Sequence, residues 1–206
     1  MAIRRLTSAG LTAGGKSSKV WDQETSIGYM DAIATAVVDS SGAASITFSN
    51  IPQNYTHLQV RGLVLGTSAT ATGGLFCQVN GDTSANYTSH MLGGNGSTVS
   101  TYAATGRTSI DMYGYYDNII STGSFPIAFM MDVLDYKNTG KYKTFRVYSG
   151  MDKNGANYGE IFLKSSVWLK AGSGVTSDAI TSLSIFINGS QNLGQYSHIA
   201  LYGLRG

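Results

Sequence analysis

The chain contains very little of the chemistry that disulfides, metal centres and membrane helices need. Its 206 residues include a single cysteine, Cys77, which excludes an internal disulfide and a multi-cysteine metal site. No run approaches the roughly 18 apolar residues that a membrane-spanning helix requires. Only 13% of the residues are charged, and the formal net charge of +2 is too small to indicate nucleic-acid binding. We therefore expect a protein that acts on neither a membrane nor a nucleic acid.

Glycine and tyrosine are abundant instead, with 26 and 13 residues of these types. Glycine permits tight turns, and tyrosine suits half-buried sheet faces and contact surfaces between proteins. A surface with so few charges favours broad contacts with other protein chains.

From residue 29 onward, apolar residues recur at every second position in short segments that turn residues separate. Ile46 and Phe48 show the pattern, because serine or threonine stands on either side of Ile46 and of Phe48. Ten strands are predicted in this way, at residues 31–39, 43–49, 56–65, 74–80, 108–113, 126–136, 142–149, 157–170, 179–188 and 195–204. Such spacing is typical of sandwiches, so the sequence predicts an all-β fold with a single antiparallel β-sandwich or jelly-roll domain over residues 29–206.

Residues 1–28 differ from this domain, because they are rich in glycine, serine and lysine and show almost no periodicity. The start is basic but lacks the apolar block of a signal peptide, so we expect a protein made without classical secretion. Two interpretations of the segment stay open: a frayed terminus, or an extended N-terminal arm that binds a neighbouring subunit. In the second, one aromatic and four basic residues anchor the arm: Trp21, Arg4, Arg5, Lys16 and Lys19.

Residues 82–109 break the regular pattern of strands and turns. They are rich in glycine, serine and threonine, and we predict a long excursion that contains one or two short strands. Binding residues often lie on such loops of a rigid sandwich, which makes His90 a candidate contact residue.

The sequence shows no motif for catalysis: no nucleophile elbow, zinc-protease helix, phosphate-binding loop or dinucleotide fingerprint. Asp132 and Asp135 resemble the paired carboxylates of a glycosidase, but a salt bridge or a turn contact is the favoured interpretation. His57 and His198 stand at polar positions of strands without acidic partners at metal-ligand spacing. We expect no enzyme, no cofactor and no metal site; a glycan-cleaving enzyme that uses Asp132 is the remaining alternative.

Three tyrosines cluster in the segment DMYGYYDN: Tyr113, Tyr115 and Tyr116. They fit either a platform on which a sugar stacks or an aromatic rim that packs on another subunit. Together with His90 they are the candidate surface or glycan contacts.

Four segments carry a resemblance to a known group of proteins: SITFSNIPQNYTHLQVRG, VNGDTSANYTSHMLGGNGS, VLDYKNTGKYKTFRVYSG and FINGSQNLGQYSHIALYGLRG. Together they span most of residues 43–206, and the pattern resembles small virion proteins of tailed bacteriophages, especially cyanophages. The resemblance implies a β-sandwich that assembles as an oligomer and serves as a capsid decoration or tail-associated protein. It implies no catalytic residues.

Two functions are therefore expected as alternatives. In the first, the protein is a non-enzymatic virion component that binds major capsid or tail proteins through its arm and low-charge β-surfaces. In the second, it is a receptor-binding module of a tail fibre that recognises a host-surface glycan. In both, we expect a protein located in the virion as a homo-oligomer, with a trimer favoured.

Overall fold

The computed structural model describes residues 29–67, 73–114, 125–152, 159–170, 177–189 and 191–205. All regular structure in these ranges is β-strand. The strands are β1 (Met30–Val37), β2 (Ser45–Phe48), β3 (His57–Val64), β4 (Leu75–Val79), β5 (Tyr87–Gly94), β6 (Val99–Arg107), β7 (Ile110–Tyr113), β8 (Ile127–Leu134), β9 (Lys143–Met151), β10 (Glu160–Trp168), β11 (Leu183–Ile187) and β12 (His198–Leu204). The predicted all-β sandwich fold is confirmed, and each of the ten predicted strands overlaps an observed one.

The strands form two antiparallel sheets. The large sheet has eight strands in the order β1-β12-β3-β8-β9-β10-β5-β6, and the small sheet has four in the order β2-β11-β4-β7. The chain passes repeatedly from one sheet to the other: β1, β3 and β12 belong to the large sheet, while β2, β4 and β11 belong to the small one. The hairpin of β5 and β6 and the pair β9 and β10 extend the large sheet beyond β8.

The core lies between the two sheets and follows from the alternation of each strand. In β2, Ile46 and Phe48 are buried while Ser45 and Thr47 are exposed. The same alternation in β8 and β9 buries one face of the large sheet and leaves the other in solvent. Burying a side chain such as Leu183 or Ile185 contributes about 1.5–3 kcal/mol, so these alternating rows supply most of the stability of the sandwich.

The prediction for residues 82–109 was wrong. They form β5 and β6, two full strands of eight and nine residues, and not a long excursion with short strands. The inward positions of β5 are buried although serine and glycine occupy two of them, as Ser89 and Gly93. A tight turn joins the strands, in which the Oδ1 of Asn95 accepts hydrogen bonds from the backbone N–H groups of Ser97 (3.1 Å) and Thr98 (2.9 Å).

The turn at Asn80 and Gly81, which follows β4, also connects distant parts of the chain. Both residues have positive φ angles, of 52° and 68°, which asparagine and glycine tolerate. The Oδ1 of Asn80 accepts hydrogen bonds from the backbone N–H groups of Thr181 (2.8 Å) and Ser182 (3.0 Å). The turn after β4 therefore holds the segment that leads into β11.

Candidate functional site: an apolar band on the large sheet

The outer face of the large sheet, which points away from the small sheet, carries an unusual concentration of exposed apolar side chains. The described residues include nine large hydrophobic side chains with at least 39% of their surface exposed, and seven of the nine lie on this face. We call these seven the apolar band: Val37, Leu63, Leu92, Val99, Tyr148, Ile161 and Leu163. A patch of this kind on a soluble protein commonly marks a contact with another molecule.

The strand register arranges the band in two neighbouring rows that cross the sheet. The first row runs Val37, His198, Leu63, Ala128, Gly150, Ile161, Gly94 and Val99 from β1 to β6. The second row runs Thr35, Ala200, Arg61, Met130, Tyr148, Leu163, Leu92 and Thr101. Because side chains of adjacent strands in a row are direct neighbours, the band is one continuous surface.

The band contains a ridge and a groove side by side. The ridge consists of Tyr148, Leu163 and Leu92 on the consecutive strands β9, β10 and β5, with 53%, 54% and 50% of their surface exposed. The groove has a volume of about 990 Å³ and lies over β8 and β9, where the small residues Ala128 of β8 and Gly150 of β9 leave the backbone accessible. The two features are complementary in relief.

A third row next to the band is polar. It contains Gln59, Asp132, Arg146, Ser165 and His90 on five consecutive strands. The Nε2 of Gln59 donates a hydrogen bond to the Oδ1 of Asp132 (2.6 Å), and Arg146 stands directly across from Asp132 on the next strand. Asp132 thus accepts a hydrogen bond from the neighbouring strand, whereas the sequence favoured a salt bridge or a turn contact for it.

The structure corrects the expectation that Tyr113 lies on the surface. Its side chain is fully buried at the end of β7, packs edge-on against Phe162 with ring centroids 5.2 Å apart, and donates a hydrogen bond to Glu160 (3.0 Å). Burial, and secondly the negative charge of Glu160, raise the pKa of the Tyr113 hydroxyl. Tyr113 therefore belongs to the core and cannot form part of a surface platform.

The other predicted contact residues divide into two groups. His90 is exposed on β5 beside Leu92, so it lies at the border of the apolar band, on a regular strand and not on a loop. The remaining candidates lie outside the described residues: Trp21, Arg4, Arg5, Lys16, Lys19, Tyr115 and Tyr116.

A buried ion pair was not found from the sequence. The Nζ of Lys164 lies 2.7 Å from the Oδ1 of Asp111 and donates a hydrogen bond to the backbone oxygen of Gly114 (2.5 Å). The side chains are 0% and 4% exposed, and burial lowers the pKa of Lys164, although the charge of Asp111 opposes this. Lys164 stands in the same alternation phase as the core residues Phe162 and Trp168, which is the signal that could have shown it. The pair connects β10 to β7 across the core. Because solvent does not reach it, a substrate cannot reach it either.

The described residues offer neither a cluster of metal ligands nor a membrane-spanning helix. No group of three or more histidine, cysteine, aspartate or glutamate side chains comes close enough to hold a metal ion. His57, predicted as a sheet histidine, accepts a hydrogen bond at Nδ1 from the backbone N–H of Asp135 (2.9 Å). Within the same ranges, no helix has the length and hydrophobicity to span a membrane.

Comparisons with protein-family models, curated proteins and solved structures found no match for this chain. Any assignment of function therefore depends on the fold and on the apolar band.

Proposed function

We propose that the protein is a non-enzymatic structural component of a bacteriophage virion, a capsid decoration or tail-associated subunit, that contacts neighbouring protein chains through the apolar band. The observation that carries this proposal is the concentration of seven exposed hydrophobic side chains on one face of the large sheet. Solvent-exposed sheet faces normally carry polar side chains, so the band is expected to be covered in the assembled particle.

The energy available from the band fits a protein contact. The exposed fractions of the seven side chains add up to about four complete side chains, whose burial would contribute about 6–12 kcal/mol. Association itself costs about 4–15 kcal/mol in lost freedom of motion. The band can therefore drive specific binding when the partner is also apolar and adds a similar contribution.

Charge supports protein as the partner class. None of the seven band residues is charged, and Arg61 is the only Arg, Lys, Asp or Glu side chain in the two rows. Its guanidinium packs over the ring of Tyr202, 5.6 Å from the centroid, which reduces the charge that it presents to a partner. A nucleic acid would require a row of such cations.

The strand order supports a viral jelly roll as the finer description of the fold. A jelly roll folds eight strands into two four-stranded sheets through two Greek keys. The strands β1-β12-β3-β8 and β2-β11-β4-β7 form two such groups of four neighbours, and β5, β6, β9 and β10 are additions at one edge. Jelly rolls are frequent among viral capsid domains, in agreement with the proposed location in the virion.

The N-terminal arm is the second element of the proposal. Residues 1–28 bind a neighbouring subunit, with Trp21 as the apolar anchor and Arg4, Arg5, Lys16 and Lys19 as basic contacts. Deletion of residues 1–28 then reduces attachment to the particle and leaves the sandwich folded.

The test is binding to particles that lack the protein. Leu163→Asp places a charge in the middle of the ridge and should abolish attachment, measured by co-sedimentation with particles and by mass spectrometry of separated heads and tails. Thr47→Asp adds the same charge at an exposed position of the small sheet and serves as the matched control. Undiminished attachment of the folded Leu163→Asp protein would overturn the proposal, as would attachment that Thr47→Asp weakens equally.

A further inference from the structure

We propose that the partner on the apolar band is a second copy of this chain, packed face to face around a two-fold axis that runs over β9, parallel to the strands. The inference rests on the proposed function, because it names the chain that the band contacts. It follows from the distribution of large and small residues on the first row.

A two-fold interface brings one surface patch against itself, so the patch must contain both a protrusion and the depression that receives it. An axis over β9 exchanges β10 with β8 and β5 with β3, because these strands flank β9 symmetrically in the sheet order. In the first row, Ile161 of one copy then stands over Ala128 of the other, and Leu63 over Gly94. In this first row each large side chain therefore meets a small one, so Ile161 and Leu63 of each copy fill the space above Ala128 and Gly94 of the other.

The second row and the axis itself show no conflict. Leu163 stands over Met130, whose unbranched, flexible side chain can pack around the leucine. Leu92 stands over Arg61. Two Tyr148 rings meet at the axis beside the two Gly150 residues, which carry no side chain.

Charge also matches under this symmetry. The two Arg61 side chains lie on opposite sides of the axis, about 19 Å apart laterally at four strand spacings. This exceeds the screening length of about 8 Å at physiological salt. In the polar row, Arg146 from both copies lies at the axis, and an Asp132 stands one strand away on either side, so the two positive charges at the axis lie between two negative charges.

The available area is sufficient for a stable dimer. Seven strands overlap in this arrangement, and three rows of side chains take part, which gives roughly 600 Å² of flat sheet face. Standard interfaces bury about 800 Å² of accessible surface on each partner, and side-chain relief adds to the flat area. An odd-numbered assembly does not form through this contact, so the arrangement predicts a dimer where the sequence alone favoured a trimer.

The first test is the mass of the full-length protein, measured by sedimentation equilibrium over a range of micromolar concentrations. The wild-type chain should give twice the chain mass, and Ala128→Arg, which fills the groove, should give the mass of one chain. Thr47→Arg, on the outer face of the small sheet, should remain dimeric. A monomer or a trimer for the wild-type protein would overturn the inference, and so would an Ala128→Arg protein that remains dimeric.

The second test locates the axis. A chain carrying Ile161→Cys is mixed with a chain carrying Ala128→Cys, and a short bis-maleimide is added; Cys77 is buried and does not compete. A cross-link between the two variant chains, with little product from either alone, is expected. Product from the Ile161→Cys chain alone would place the axis elsewhere and refute the arrangement. If the band variants lose particle attachment while the wild-type protein is monomeric, the proposed function stands and the dimer does not.

Discussion

Removal of the charge of Asp111 is the sharpest test of how the two sheets are held together. Asp111→Asn keeps the size of the side chain but leaves the Lys164 ammonium fully buried beside a neutral amide and the carbonyl of Gly114. Removing one partner of a buried ion pair costs about 3–5 kcal/mol, because the remaining charge is poorly solvated. For a chain of this length, that loss lowers the thermal midpoint by about 6–20 °C.

The assay compares this variant with Asp178→Asn. Asp178 forms the same kind of carboxylate–ammonium pair with Lys170, but at the surface, where the two side chains are 58% and 46% exposed. Such exposed pairs contribute about 0–1 kcal/mol to stability. Urea and thermal unfolding should therefore show a large loss for the first variant and almost none for the second. The double variant Asp111→Leu with Lys164→Met should recover most of the loss, because no charge remains buried.

The pH dependence of the unfolding free energy is an independent test of the same ion pair. Burial lowers the pKa of Lys164 below its ordinary value of 10.5, so the unfolded chain holds that proton more tightly and stability rises with pH between the two values. Without the opposing charge of Asp111, the folded pKa falls further, and the deficit of Asp111→Asn shrinks as pH rises toward 10.5. Equal losses for Asp111→Asn and Asp178→Asn, or a deficit independent of pH, would refute the reasoning.

Two further predictions concern single buried groups. Burial raises the pKa of the Cys77 thiol to about 12, so a thiol reagent at mildly alkaline pH should modify the protein only at the rate of unfolding; rapid labelling of the folded protein would contradict this. Burial raises the pKa of Asp82, but hydrogen bonds from Asn86, Trp168 and Ser84 outweigh it and lower the pKa below 3.8. Asp82→Ala should therefore cost about 1–3 kcal/mol at neutral pH, and the difference in unfolding free energy should diminish as pH falls through the folded pKa; a difference that persists in strong acid would count against it.

Strand existence was predictable because the alternation of β-strands is a local property. Ile46 and Phe48 lie two residues apart between hydroxyl side chains. Only a strand places both apolar side chains on one buried face and the hydroxyl side chains on the other. Asn80 and Gly81 similarly fix a turn by the backbone angles that they tolerate. These features depend on neighbours within a few residues, so ten strands and the fold class followed from the sequence.

The sequence did not reveal β5 and β6 as full strands, because two of the four inward positions of β5 do not look like core. Ser89 and Gly93 are buried only because β10 pairs alongside them and the hairpin is held at the edge of an extended sheet. The composition of such a segment is the same as that of a loop. Pairing, and not propensity, decides its structure.

The apolar band is the clearest case of a property that only the tertiary structure decides. In β10, Ile161, Phe162 and Leu163 are all apolar, so the strand itself does not indicate which phase faces the core. The small sheet covers the side of Phe162 and leaves Ile161 and Leu163 in solvent. Likewise, Lys164 and Asp111 are 53 residues apart and meet only because β10 and β7 belong to facing sheets. Local alternation is encoded residue by residue, whereas the choice of covered face and the contacts across the core arise from the packing of whole sheets.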